Sequence, residues 1–142
     1  MKPIFYYSVM SNNIGDRAIR KCITEHLLKY LNIPIAFFDV KTLLTKNRVI
    51  NQINKECSGV IIAGGGLYSN RKDTVSDWYF NCEKEAIECF KVPVFLIGIG
   101  ANNHLKNDIF GNLTIKAKNH IKELNNKAII STVRDLRIYK LL

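Results

Sequence analysis

Long apolar runs are missing from this chain of 142 residues. None approaches the roughly 20 residues that a membrane-crossing helix needs, so no membrane span is expected. The N-terminus carries Lys2 and then runs Ile4-Phe5-Tyr6-Tyr7-Ser8-Val9, which reads as a strand and not as a signal peptide. A cytoplasmic location is the expectation that follows. Cysteine is sparse. Cys22, Cys57, Cys82 and Cys89 form no C-x-x-C pair and no metal-ligand spacing. They read as reduced packing residues, with Cys82 and Cys89 seven apart on one helix face. No metal and no cofactor is expected. Neither a G-x-G-x-x-G nor a P-loop pattern occurs, which removes the usual nucleotide fingerprints. Internal repeats, linkers and low-complexity segments are also lacking.

What is present is globular. Hydrophobic residues make up 47% and charged residues 23% of the chain, a balance that supports a packed core. One domain, residues 1–142, is expected, burying roughly two-thirds of its unfolded surface without staples. The net charge is +9. Residues 1–100 carry 13 basic and 9 acidic side chains; residues 101–142 carry 8 and 3. A basic excess of this kind attracts phosphates, acidic sugars or other anionic polymers, or it marks a solvated lysine face. Nucleic acid is not the expected partner. The aromatic run Trp78-Tyr79-Phe80 has no interleaved basic residues, and it reads as core and rim packing rather than a stacking platform.

Hydrophobic spacing alternates strand and helix along the whole chain. Strands are predicted at 4–9, 35–40, 60–63, 94–99 and 128–133. The first helix has apolar positions Ala18, Ile19, Cys22, Ile23, Leu27, Tyr30 and Leu31, with Asp16 as its N-cap and Asn32 and Pro34 as its stop. Further helices are predicted at 46–57, at 77–90, on the stripe Phe110, Leu113, Ala117, Ile121 and Leu124, and from Arg134 onward. Short, wholly apolar strands such as Val60–Ala63 are buried on both faces. The fold expected is therefore α/β: a doubly wound, five-stranded parallel sheet with right-handed crossovers, Rossmann-like.

Four signatures lie at strand exits, where ligands bind in such sheets. The first is Asn13-Ile14-Gly15-Asp16, at the N-terminus of the first helix. Free N–H groups there suit an anion, whereas the Asp16 carboxylate suits a sugar hydroxyl, as acceptor or general base. The same aspartate also serves as a plain helix cap. The second is Gly64-Gly65-Gly66, followed by Leu67-Tyr68. Three glycines in regular structure cost about 1 kcal/mol each, so a ligand or a tight neighbouring loop requires the bare backbone. The third is Gly98-Ile99-Gly100, with Asn102, Asn103 and His104 beyond it offering neutral partners for hydroxyls. The fourth is Thr132-Val133-Arg134-Asp135, where Arg134 can hold an anion and Asp135 can cap a helix.

At these residues the chain resembles the polysaccharide pyruvyl transferase family. The family's N-x-G-D-x-A-I stretch matches Asn13 to Ile19, its glycine-triplet strand exit matches Val60 to Gly66, its G-I-G exit matches Gly98-Ile99-Gly100, and its V-R-D step matches Val133-Arg134-Asp135. Order and approximate separations agree over nearly all of the chain. Two positions depart. Arg17 stands where an acidic residue is frequent, and Ile138 stands where a serine commonly follows the R-D pair. Family members have two Rossmann-like domains in a GT-B-type arrangement, and the resemblance covers the N-terminal half. It implies transfer of pyruvate from phosphoenolpyruvate onto two sugar hydroxyls of a polysaccharide or its precursor. Under it these residues supply mainly the acceptor side: Asp16 in a catalytic role, and Asn13, Gly15, Gly64, Gly65, Gly66, Tyr68, Gly98, Gly100, Asn102, Arg134 and Asp135 as substrate-binding residues. Phosphoenolpyruvate, the donor, would be held largely by a C-terminal half, and an apolar C-terminal edge invites that domain or a second copy. Two other readings share these residues: the half-domain of a GT-B-type glycosyltransferase that uses a nucleotide sugar, and a non-catalytic module that binds glycans or anions.

Overall fold

A computed structural model describes residues 1–46, 48–101, 113–134 and 138. Strand and helix alternate as β1 (Ile4–Ser8), α1 (Ile14–Leu31), β2 (Ile35–Asp39), α2 (Val49–Glu56), β3 (Gly59–Ala63), α3 (Lys84–Glu88), β4 (Val94–Ile99), α4 (Ile115–Lys127) and β5 (Ile130–Val133). The strands form one sheet in the order β2-β1-β3-β4-β5. Every pairing is parallel, with Tyr6 opposite Phe37 on one side and Ile61 on the other. The doubly wound α/β architecture expected from the hydrophobic alternation is the one observed.

The two sheet faces are covered unequally. Tyr7, Val60, Ile62, Val94 and Leu96 point to one face and pack with Ile50 and Ile53 of α2, Ala86 and Ile87 of α3, and Ala117, Ile121 and Leu124 of α4. Ile4, Tyr6, Ile61 and Ala63 point to the other and meet α1 through Ile23 and Leu27. No residue of α1 is fully buried. Ile138 is helical and wholly buried in the larger cluster. An apolar side chain at that position thus has a packing role. Among the described residues no helix is long and apolar enough to cross a membrane.

Several predicted boundaries move. The helix expected from Asp77 shrinks to α3, because hydroxyls and a turn claim the backbone before it. Ser76 Oγ donates to the Phe80 carbonyl at 2.6 Å and Thr74 Oγ1 to the Trp78 carbonyl at 2.7 Å. Asp77 itself is left-handed at φ 62°. Side chains that satisfy carbonyls in this way compete with helix formation. Cys82 therefore precedes α3, and Cys89 is the residue that caps it, so the two thiols share no helix face. β5 begins at Ile130 and not at 128, since Ala128 is still donating its N–H to Leu124 at the end of α4. Phe110 lies outside the described residues, as does the helix expected from Arg134 onward, apart from Arg134 and Ile138.

Candidate functional site

The strand order changes direction between β1 and β3. From β1 the chain crosses left to β2, and from β3 it crosses right to β4. The loops leaving β1 and β3 must therefore part, and a crevice opens at the carboxyl ends of these two strands. A cleft of about 320 Å³ lies there, lined by Val9, Ser11, Asn13, Gly15, Asp16, Gly65, Gly66, Tyr79 and Arg134. Residues from both ends of the chain meet in it.

The β1 exit is organised by its own polar side chains. Asn13, and not Asp16, caps α1: its Oδ1 accepts from the Gly15 amide at 2.8 Å. The expectation of an Asp16 cap is thereby corrected. Relieved of capping, Asp16 sits in the first helical turn. Its Oδ2 accepts a 2.6 Å hydrogen bond from Ser11 Oγ, and Ser11 Oγ also accepts from the Asn13 amide at 3.2 Å. Asp16 is thus aimed by a serine and remains half-exposed. A carboxylate has room for more than one hydrogen bond.

The glycines make that aim possible. Gly65 has φ 66°, and a Cβ there would stand 2.9 Å from Asp16 Oδ1. Only glycine meets both demands, a left-handed backbone and close approach by the carboxylate. Gly100 does the same service for Arg134: a Cβ on Gly100 would fall on the guanidinium. The Arg134 amide donates to the Ile99 carbonyl at 3.1 Å, which fixes where β5 ends beside β4. Among the described residues Arg134 makes no ion pair, with Asp16 or with any other carboxylate. Among the described residues, then, the cleft brings together a cation and a carboxylate that form no ion pair, plus the N-terminal end of the 18-residue α1.

The remaining sequence candidates fall elsewhere. Gly64 packs beneath Ile19 of α1. Gly98 lies at the irregularity in the β4–β5 register, its amide donating to Thr132 Oγ1 at 2.8 Å. Tyr68 is buried and its hydroxyl accepts from Asn125 Nδ2 at 3.1 Å. Burial pushes that phenol above its ordinary pKa, as suits a structural group. Asn102, His104 and Asp135 lie outside the described residues.

Three lining residues were not among the candidates: Val9, Ser11 and Tyr79. Ser11 has a local sequence signal, a hydroxyl two residues before the N-cap. Tyr79 has none, because it arrives from the irregular segment after β3. A larger depression of about 840 Å³ runs along α1 past Met10, Ile14, Arg17 and Phe37. It is open, starts beside the β1 exit and runs along the outer face of α1 without reaching the β3 or β5 exits, so the smaller cleft, which joins all three, is the better candidate. No group of three or more potential metal ligands occurs among the described residues. No protein-family model matches the chain, and no curated protein matches it.

Proposed function

We propose that this domain binds the sugar acceptor of a pyruvyl transfer reaction, as its resemblance to the polysaccharide pyruvyl transferases implies. The observation that carries the reading is the meeting of Asp16, Gly65 and Arg134 in one cleft. They belong to three of the four signatures, and Asp16 and Arg134 approach from opposite ends of the chain. In the reaction, the methylene carbon of phosphoenolpyruvate takes up a proton and becomes a methyl group, which leaves the phosphate-bearing carbon cationic. A sugar hydroxyl adds to that carbon and gives up its proton, phosphate leaves with the C–O bond pair, and a second hydroxyl adds with loss of its proton to close the ketal. Asp16 is suited to accept the proton of the attacking hydroxyl, with Ser11 holding its second oxygen. Arg134 is suited to an anionic group at the mouth of the cleft. The phosphoenolpyruvate site belongs to a second domain in this account.

The test is phosphate release from phosphoenolpyruvate, in the presence of the polysaccharide fraction of the source cell, by the protein as its cell makes it. Nucleotide release from sugar nucleotides under the same conditions, without phosphate release, would assign the domain to a glycosyltransferase instead. Neither release, combined with binding that collapses steeply with salt, would leave a module for anionic polymers.

A further inference from the structure

Tyr79 lines the cleft with Asp16 and Arg134, yet it belongs to none of the four signatures. Its ring packs against the larger core cluster and is half-buried. Arg71 closes over that ring, its guanidinium carbon 4.8 Å from the centroid. Arg71 is itself fixed by Asp73 through two hydrogen bonds of 2.8 and 2.6 Å. This pairing holds the Asp73 carboxyl below its ordinary pKa and the guanidinium above. The Arg71 charge is thus already matched.

From that position Arg71 Nη1 donates to the Tyr79 hydroxyl at 3.4 Å. The phenol oxygen accepts from a cation, and its own proton has no acceptor among the described residues. A hydroxyl polarised in this way is a better donor. The residues that line the cleft then include three polar groups of different kinds: the Arg134 cation, the neutral Tyr79 phenol and the Asp16 carboxylate. A bare anion meets Asp16 as a repelling charge. A neutral sugar leaves Arg134 unmatched. A hydroxylated anion satisfies all three.

We infer that Tyr79 is a specificity-determining residue of the cleft. It donates to an oxygen of the ligand's anionic group beside Arg134 while the ligand's hydroxyls face Asp16, and the ligand class is a sugar acid or sugar phosphate. This rests on the reading of the cleft as a sugar site.

The experiment titrates isotope-labelled protein with glucuronate, glucose 6-phosphate and glucose, following the amides of Gly65 and Gly66 by NMR. The wild type should bind at least one acidic sugar tenfold or more tightly than glucose, and the tighter of the two acids identifies carboxylate or phosphate. Tyr79→Phe keeps the ring and should lower that affinity about tenfold while leaving glucose binding unchanged. Wild-type affinity in Tyr79→Phe would overturn the role of Tyr79 and leave the cleft standing. An equal loss for glucose would also overturn it, by marking a packing effect. No response at Gly65 and Gly66 to any of the three sugars would overturn both this inference and the sugar-site reading.

Discussion

Asp16 and Asn13 divide two tasks that the sequence alone leaves merged. From the sequence the cap reads as Asp16, and both residue types cap helices well. The geometry gives the cap to Asn13 and frees Asp16 for the cleft. Asp16→Asn should therefore fold normally and lose most of its turnover, by about 100-fold or more if the carboxylate is a general base. Parallel circular dichroism and activity measurements check this. Gly65→Ala places a methyl group against Asp16 at a left-handed backbone position. It should cost about 1–2 kcal/mol of stability and abolish ligand binding, both readable in one thermal-shift series. Tyr79 was illegible in the sequence, since no local pattern marks a side chain delivered by an irregular segment.

His120 gives the residue scale its pH dependence. It is buried, and its Nδ1 accepts from the indole N–H of Trp78 at 2.8 Å. The ring proton must then sit on Nε2, which donates to the Cys82 carbonyl at 2.7 Å. Burial lowers the imidazole pKa below its ordinary 6.5, against the opposing pull of the Cys82 carbonyl, Glu123 and Glu85, and with Lys116 adding to the fall. The unfolded chain therefore binds the proton more readily than the folded one. Stability is fully present above about pH 6.5 and declines as pH falls below it, with a slope of at most about 1.4 kcal/mol per pH unit from this group. Trp78 is the sole tryptophan, so fluorescence-monitored urea melts report it directly. His120→Gln should flatten the slope between pH 6.5 and 5. An unchanged slope would assign the acid sensitivity to other groups.

Among the elements, the strands and the two long helices were legible because their periodicity spans many residues. α3 was not. Trp78, Tyr79 and Phe80 extend the helical apolar pattern backwards, but Thr74 and Ser76 bind the carbonyls that such a helix would need. The rule that failed is periodicity, and what overrode it is short-range side-chain capture of the backbone. Unequal coverage of the sheet predicts unequal costs. Ile53 of α2 is wholly buried, whereas Leu27 of α1 is only partly so. Ile53→Ala should cost about 3 kcal/mol and Leu27→Ala about 1 kcal/mol. Chemical denaturation of the two variants side by side would reveal equal costs if α1 were as firmly seated as α2.

For the molecule as a whole, alternation of apolar strands and helices determined a parallel sheet, and chain crossings placed its switch point between β1 and β3. Of the glycines at strand exits, Gly65 and Gly66 line the cleft beside that switch point. Their individual duties were beyond that logic: Gly65 and Gly100 seat charged side chains, while Gly64 and Gly98 serve helix packing and sheet register. The basic excess of the last third contributes exposed lysines on α4, of which Lys116 reaches Asp77 at 3.7 Å. These charges lie on a solvated helix face and need no ligand to account for them.

The most direct test of the account follows phosphoenolpyruvate labelled with ¹³C at its methylene carbon, incubated with the cell-made protein and its polysaccharide fraction. Pyruvyl transfer predicts that the label appears as a ketal methyl group attached to the glycan, and that Asp16→Asn suppresses it. Label that remains in phosphoenolpyruvate or free pyruvate, or equal transfer by Asp16→Asn, would contradict the assignment of the cleft.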